Sequence, residues 1–190
     1  GTRVIDVLDM ASGMDIIENQ AGRENPRSVI TRYNLAASGE KNADGEQENL
    51  FELIRPAKRS GPAGKAFEYS SINTTLLALL AETVENKRWS DIYQERVWSK
   101  MTVEGDLQVS IAPDSTPLPH GLVASRLRDM ARYGMLYTPS WHKAARERIV
   151  SQAYVRQIQE GGRKEIFLRG EIGNHLTTAF FPASPPSANH

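Results

Sequence analysis

The chain has 190 residues, 39% of them hydrophobic and 24% charged, the composition of one folded globular domain or a piece of one and far from that of disordered or membrane classes. Lys plus Arg and Asp plus Glu both number 23, so no net field draws it to nucleic acid, an anionic membrane or a strongly charged substrate. The absence of cysteine rules out a disulfide framework, a cysteine nucleophile and a thiolate metal site, and it leaves the compartment open.

In chain order, Val4, Val7, Leu8 and Ala11 fall on one helical face, and Ser12-Gly13 reads as the stop of that first helix. No basic-then-apolar leader pattern opens the chain, which reads as entered part-way through a helix-forming segment, so further sequence upstream is expected. From Met14 to about Glu46 the residues are polar, with "RENPRS" and "SGEKNADGEQEN" as turns, and a long surface loop is expected. Gln47 to Ile54 predicts a helix presenting Leu50, Phe51 and Ile54, closed near Pro56. "RSGPAGKAF" then makes a Gly-Pro turn region. Its Gly64-Lys65 pair is no phosphate loop, because Arg59 stands where the first glycine belongs and Ala66 where Ser or Thr belongs.

Ser70 or Ser71 caps the strongest helix, whose Ile72, Leu76, Leu77, Leu80 and Val84 form an apolar stripe. Trp89, Ile92, Tyr93, Val97 and Met101 predict a second amphipathic helix. Leu107 to Ile111 alternates like a short strand, and "APDSTPLPHG" is a turn-rich link. Ser125 can cap a helix with Leu127, Met130, Ala131, Gly134 and Met135 on one face, and a further helix is expected near Ser151 to Gln159. Arg55, Lys58 and Arg59, like Arg126, Arg128 and Arg132, read as solvated basic faces. No run approaches the roughly 18 to 20 apolar residues of a transmembrane helix. The chain is expected to be mostly helical with little strand, a domain over residues 1–178 followed by a Pro/Ser-rich tail over 179–190 that reads as disordered or cut short.

Of the chemical motifs, most are absent. His120, His142, His175 and His190 are scattered, without i, i+4 partners, so no metal site and no cofactor are expected. No G-x-S-x-G elbow occurs, against an α/β-hydrolase, and the Asn73-Thr74-Thr75 sequon carries little weight at a helix start.

Four segments in order, "VIDVLDMASGMD", "GPAGKAFEYSSINTTLLALLAETV", "WSDIYQERVWSKM" and "HGLVASRLRDMARYGMLY", resemble the beta-lactamase-related serine hydrolases. That superfamily includes class C beta-lactamases, penicillin-binding proteins, esterases and nylon-oligomer amidases. The resemblance runs over about residues 3 to 160 and implies an α+β fold, of which this would be the mostly helical portion of a beta-lactamase/transpeptidase-like domain, lacking much of the antiparallel sheet. By resemblance Tyr69 matches the catalytic tyrosine of a Tyr-x-Asn or Tyr-Ser-x motif. A serine hydroxyl is a weak nucleophile until a base takes its proton, and a tyrosine of ordinary pKa about 10 serves only if a cation stabilises its phenolate. In the family a lysine supplies that cation. Ser71 stands where class C enzymes have asparagine, offering one small hydroxyl in place of a donor and an acceptor, which turns the expectation from beta-lactams toward esters or amides. Asn73, two residues on, is the candidate replacement. His120 before Gly121 lies at a segment usually rich in glycine in the family, and a loop role is expected for it.

The nucleophile is missing. Ser38-Gly39-Glu40-Lys41 and Ser140-Trp141-His142-Lys143 fit S-x-x-K, yet 15 serines and 7 lysines predict roughly 0.6 such matches by chance. The first lies in a polar loop and the second in a turn beside Pro139, whereas a nucleophile needs a buried helix start. In the family the true motif precedes "DVLDMASG", and the Lys/His-x-Gly strand follows the helix near residue 155; neither is found here. Two readings remain open: part of a serine acyl hydrolase acting through an acyl-enzyme on a small-molecule ester, amide or beta-lactam, or an inactive relative serving as a helical binding domain. Many relatives are exported to the periplasm, an implication of the resemblance alone. Without most of the sheet, the apolar stripes of residues 72–84 and 127–135 are expected to be only partly covered.

Overall fold

The computed structural model describes residues 1–16 and 18–168; the expected tail at 179–190 and the boundary at 178 lie outside them. Within the described residues the fold is helical, with a single pair of short strands and no helix long and apolar enough to cross a membrane.

Helix α1 (Val4–Leu8) starts where Asp6 accepts the Arg3 backbone N–H at 3.0 Å, and it ends earlier than the apolar spacing predicts. Met10 adopts a left-handed φ of 52°, its N–H reaching Val7 O at 3.1 Å while that of Ala11 reaches Asp6 O at 2.7 Å. These two bonds satisfy the last carbonyls of the helix in a Schellman closure. Gly13, expected as the stop, instead serves the next turn: its φ is +68°, and a Cβ there would stand 2.5 Å from Gly61 O.

The stretch expected as loop holds α2 (Gln20–Glu24) and α3 (Val29–Ser38), capped by Asn19 and Ser28. Buried Ile30, Tyr33 and Ala36 on α3 recur every three residues, a sparse stripe that reads as isolated apolar positions among polar ones. α4 (Leu50–Ile54) buries Leu50, Leu53 and Ile54, and leaves Phe51, expected inward, 49% exposed. Ile16, Ile30, Tyr33, Leu50, Leu53, Ile54, Ile72 and Leu118 pack into the first core.

α5 (Ser71–Glu85) buries Ile72, Asn73, Thr75 and Ala78, so its inward face is rotated from the predicted stripe and Val84 is 73% exposed. α6 (Trp89–Arg96) follows, its first N–H taken by the Glu82 carboxylate at 2.8 Å, and a 3-10 turn over Trp98–Lys100 completes the predicted second helix. β1 (Gln108–Val109) pairs antiparallel with β2 (Val123–Ala124), Gln108 opposite Ala124. α7 (Leu127–Met135) begins after Arg126, one residue beyond the expected cap Ser125. A second core forms from Trp98, Met101, Leu136, Ala144 and Ala145. α8 (Gln152–Gln159) is capped by Ser151, and α9 (Lys164–Leu168) returns to α1, where Arg163 binds Asp6 and Asp9.

Candidate active site

Tyr69 sits on an extended segment hung between the two ends of the described chain. Gly64 donates its N–H to Ala11 O at 2.8 Å, Phe67 to Ile166 O at 3.0 Å and Glu68 to Met10 O at 2.7 Å. Gly64 is left-handed, and a Cβ on it would come within 2.7 Å of Asp6 Oδ1, so the segment can approach α1 only without a side chain there. Arg163 closes the other side: its guanidinium reaches Asp9 at 2.5 Å, Asp6 at 2.8 Å and Ile5 O at 3.0 Å. The Arg3 side-chain and backbone donors, followed by Arg163, hold the Asp6 carboxyl well below its ordinary range.

This scaffold delivers Tyr69 to the surface, 43% exposed, with its phenol making no hydrogen bond among the described residues. Ser70 precedes the helix in extended conformation, but its hydroxyl caps nothing. The cap comes from Glu18, whose carboxylate accepts the Ser71 N–H at 2.6 Å and the Ser71 hydroxyl at 3.0 Å and is itself paired with Arg23 at 3.0 Å. A carboxylate at a helix N-terminus meets the positive end of the helix dipole, and this one has only 7% of its side chain exposed. Ser71 is thereby committed to Glu18. Asn73 faces inward, its amide N–H 3.5 Å from the Met10 sulfur. Asn73 Oδ1 and Ser70 Oγ are both buried without a partner among the described residues, and both residues line a small cavity with Ser12, Met14, Ile16 and Glu68. Of the three sequence-predicted residues, the fold thus presents Tyr69 outward, buries Asn73 and ties the nearly buried Ser71 to Glu18.

One turn along α5, Thr75 Oγ1 lies 2.7 Å from the buried Tyr33 hydroxyl, and His120 Nδ1 stands 3.3 Å from Thr75 and 3.5 Å from Tyr33. Burial, against the Thr75 hydrogen bond, pushes the Tyr33 phenol up to about 12, and burial outweighs the Glu18 charge to lower the His120 imidazole. Glu18, Tyr33 and Thr75 carried no signal in the sequence, because Glu18 and Tyr33 sit in the stretch read as loop and Thr75 lies off the aliphatic stripe. Of the two S-x-x-K matches, Ser38 is the exposed last residue of α3, a helix end and not the loop expected for it, and Ser140 lies in the 3-10 turn Pro139–Lys143. Neither opens a buried helix. Among the described residues no three His, Asp or Glu side chains stand close enough to hold a metal ion.

The chain is 27% identical over 165 residues to the 6-aminohexanoate-dimer hydrolase of Paenarthrobacter ureafaciens, covering 87% of this chain and 41% of that protein. A solved structure from Bacillus anthracis, provisionally assigned as a 6-aminohexanoate-dimer hydrolase, superposes with a TM-score of 0.67 at 21% identity, over 86% of this chain and 42% of that one. The second likeness is one of fold, and the chain spans about two fifths of the length of both relatives. The helical architecture with one small strand pair is a partial beta-lactamase-like fold. Since the Beta-lactamase family profile matches residues 1–182, nearly the whole sequence, the chain belongs to the beta-lactamase family.

Proposed function

We propose that these residues carry the tyrosine half of a serine acyl-hydrolase centre, with Tyr69 as general base and an ester or amide as substrate. The observation that carries this reading is Tyr69 itself, an exposed phenol on a segment pinned by backbone bonds to the closing turn after α1 and to α9, at the matching position of the family's motif. In that chemistry the tyrosine takes the proton from a serine hydroxyl as the serine oxygen adds to the carbonyl, and the proton then passes to the departing alcohol or amine as the acyl-enzyme forms. A cation beside the phenol is required for the phenolate to exist near neutrality. The serine and that lysine are assigned to parts of the family fold that these residues do not span, in keeping with coverage of two fifths of the relatives.

Two features narrow the substrate, the first away from beta-lactams and the second toward an amide. Ser71, held by Glu18, presents no amide group to a beta-lactam. The relatives are named for hydrolysis of a 6-aminohexanoate dimer, and joining the amine of one amino acid to the carboxyl of another makes an amide. Reading the gene outward and expressing the extended product tests this. We expect S-x-x-K upstream of residue 1 and turnover of p-nitrophenyl butyrate or of an aminohexanoate dimer by the extended product, with none by residues 1–190 alone. An extended frame without S-x-x-K sinks the proposal.

A second reading, an inactive helical binding domain, draws on the exposed apolar side chains Leu80, Val84, Leu127 and Met130. Hydrolysis that depends on Tyr69 eliminates it.

A further inference from the structure

Three groups from three separate segments meet behind the motif. Tyr33 comes from α3, Thr75 from α5 and His120 from the link between β1 and β2, and the first two are fully buried. Their polar atoms form a triangle with sides of 2.7, 3.3 and 3.5 Å, and the Tyr33 and His120 rings lie 5.8 Å apart at 55°.

A proton count fixes how such a triangle can be satisfied. Two hydroxyls bring two protons. If Nδ1 is bare, Tyr33 donates to Thr75 and Thr75 donates to His120, and each proton has an acceptor. If Nδ1 is protonated, three protons face two oxygens, and one hydroxyl must find an acceptor elsewhere. Threonine in a helix can return its proton to the carbonyl four residues back, as Thr83 does to Leu79 O at 2.8 Å, but Thr75 has no such bond. Tyr33 likewise has no other partner among the described residues. Protonation therefore strands a buried donor.

We propose that His120 is a positioning residue which, as the neutral tautomer with bare Nδ1, latches the 117–121 segment onto α3 and α5, and that protonating the ring releases it. The charged and titratable groups facing it are Glu18 from the segment before α2, Tyr33 on α3, and Asp114 earlier in the same link, which acts on Tyr33. Glu18 favours the imidazolium; burial opposes it and prevails. The sign follows: the folded ring binds its proton less readily than an unfolded imidazole of about 6.5, so the latch is complete above that pH and is lost as pH falls through the lower folded value. Thr75 is one turn from Ser71, so release loosens the turn that Glu18 caps and Tyr69 precedes.

The latch does not require Tyr69 to be catalytic, and its test reads no turnover, so it stands or falls separately from the proposed function. Protein with 15N-labelled histidine is followed by long-range proton–nitrogen correlation between about pH 8 and about pH 5, where imidazole is the side chain that ordinarily titrates. Its His120→Gln variant assigns the signals, and the protection factor of the Leu118 amide, whose N–H donates to Ser110 O at 3.0 Å, is measured in parallel. We expect a pyridine-type Nδ1 with the proton on Nε2 at pH 8, a titration below the ordinary imidazole value, and protection falling about tenfold or more at the same pH, as for one lost buried hydrogen bond. In His120→Gln, and in Thr75→Val, loop protection should lose that pH step, whereas Thr75→Ser should keep it. A proton on Nδ1 at pH 8, flat protection across the range, or the same pH step in His120→Gln would overturn the proposal. Should Thr75→Val fail to fold, the glutamine variant and the tautomer decide.

Discussion

Glu18 and Ser70 divide a role that the residue order assigns to one of them. A serine before a helix is the ordinary N-cap, yet the Ser70 hydroxyl has no partner among the described residues and the Glu18 carboxylate, 52 positions before it, takes the Ser71 N–H. Glu18→Ala should therefore lower stability by about 1–2 kcal/mol, as losing a capping acceptor does, read as a lower urea midpoint at unchanged slope. Ser70→Ala should be neutral or slightly stabilising, because it removes a buried hydroxyl that bonds nothing. The opposite ranking would return the cap to Ser70. Asp129 is a second buried carboxylate whose role is readable only in three dimensions: it accepts the Glu104 and Gly105 N–H groups and pairs with Arg132 at 2.7 Å. Burial raises its carboxyl, but these donors prevail and hold it below the ordinary value. Its contribution is present above about pH 4 and is lost as pH falls toward the folded value, so Asp129→Asn should flatten the acid limb of a stability profile.

At the scale of elements, Gly13 is the sharpest case. Substituting alanine puts a Cβ 2.5 Å from Gly61 O at a left-handed φ, and the loss should exceed the roughly 1 kcal/mol of an ordinary glycine-to-alanine strain, measured by urea unfolding. A neutral Gly13→Ala would mean the turn can move away. Where hydrophobic spacing was dense, as over Ile72 to Val84 or Leu127 to Met135, the helices were legible and their ends fell close to the predicted places. α3 was not, because three inward residues at every third position among polar neighbours give a weak helical signature, and it is packing in the first core that holds them. Met10, closing α1 in a left-handed conformation usually left to glycine or asparagine, defeats a reading based on stop residues. At the candidate site, Tyr69 is singled out by the motif alone and its role as base is a proposal, while the Glu18 cap and the Tyr33–Thr75–His120 triangle join residues 42 to 87 positions apart in pairs that local spacing cannot reveal.

Across the whole molecule, the helices leave Leu80 and Val84 on α5 and Leu127 and Met130 on α7 facing outward, Leu127 at 85% exposed. These are the stripes expected to lie partly uncovered. Apolar side chains presented on two helices favour association, so residues 1–190 alone should show a mass that rises with concentration in light scattering. A single monomeric species across the range would contradict that expectation. Belonging to the beta-lactamase family while spanning two fifths of its relatives puts the weight of the functional account on one side chain. Tyr69→Phe in the extended gene product is the direct measurement. With the phenol exposed and making no hydrogen bond among the described residues, thermal unfolding should be unchanged, while kcat/KM for p-nitrophenyl butyrate should fall by about 10²- to 10⁴-fold, the usual worth of a general base. A phenylalanine variant that keeps its activity within about tenfold of the parent would contradict the assignment of Tyr69 as the base.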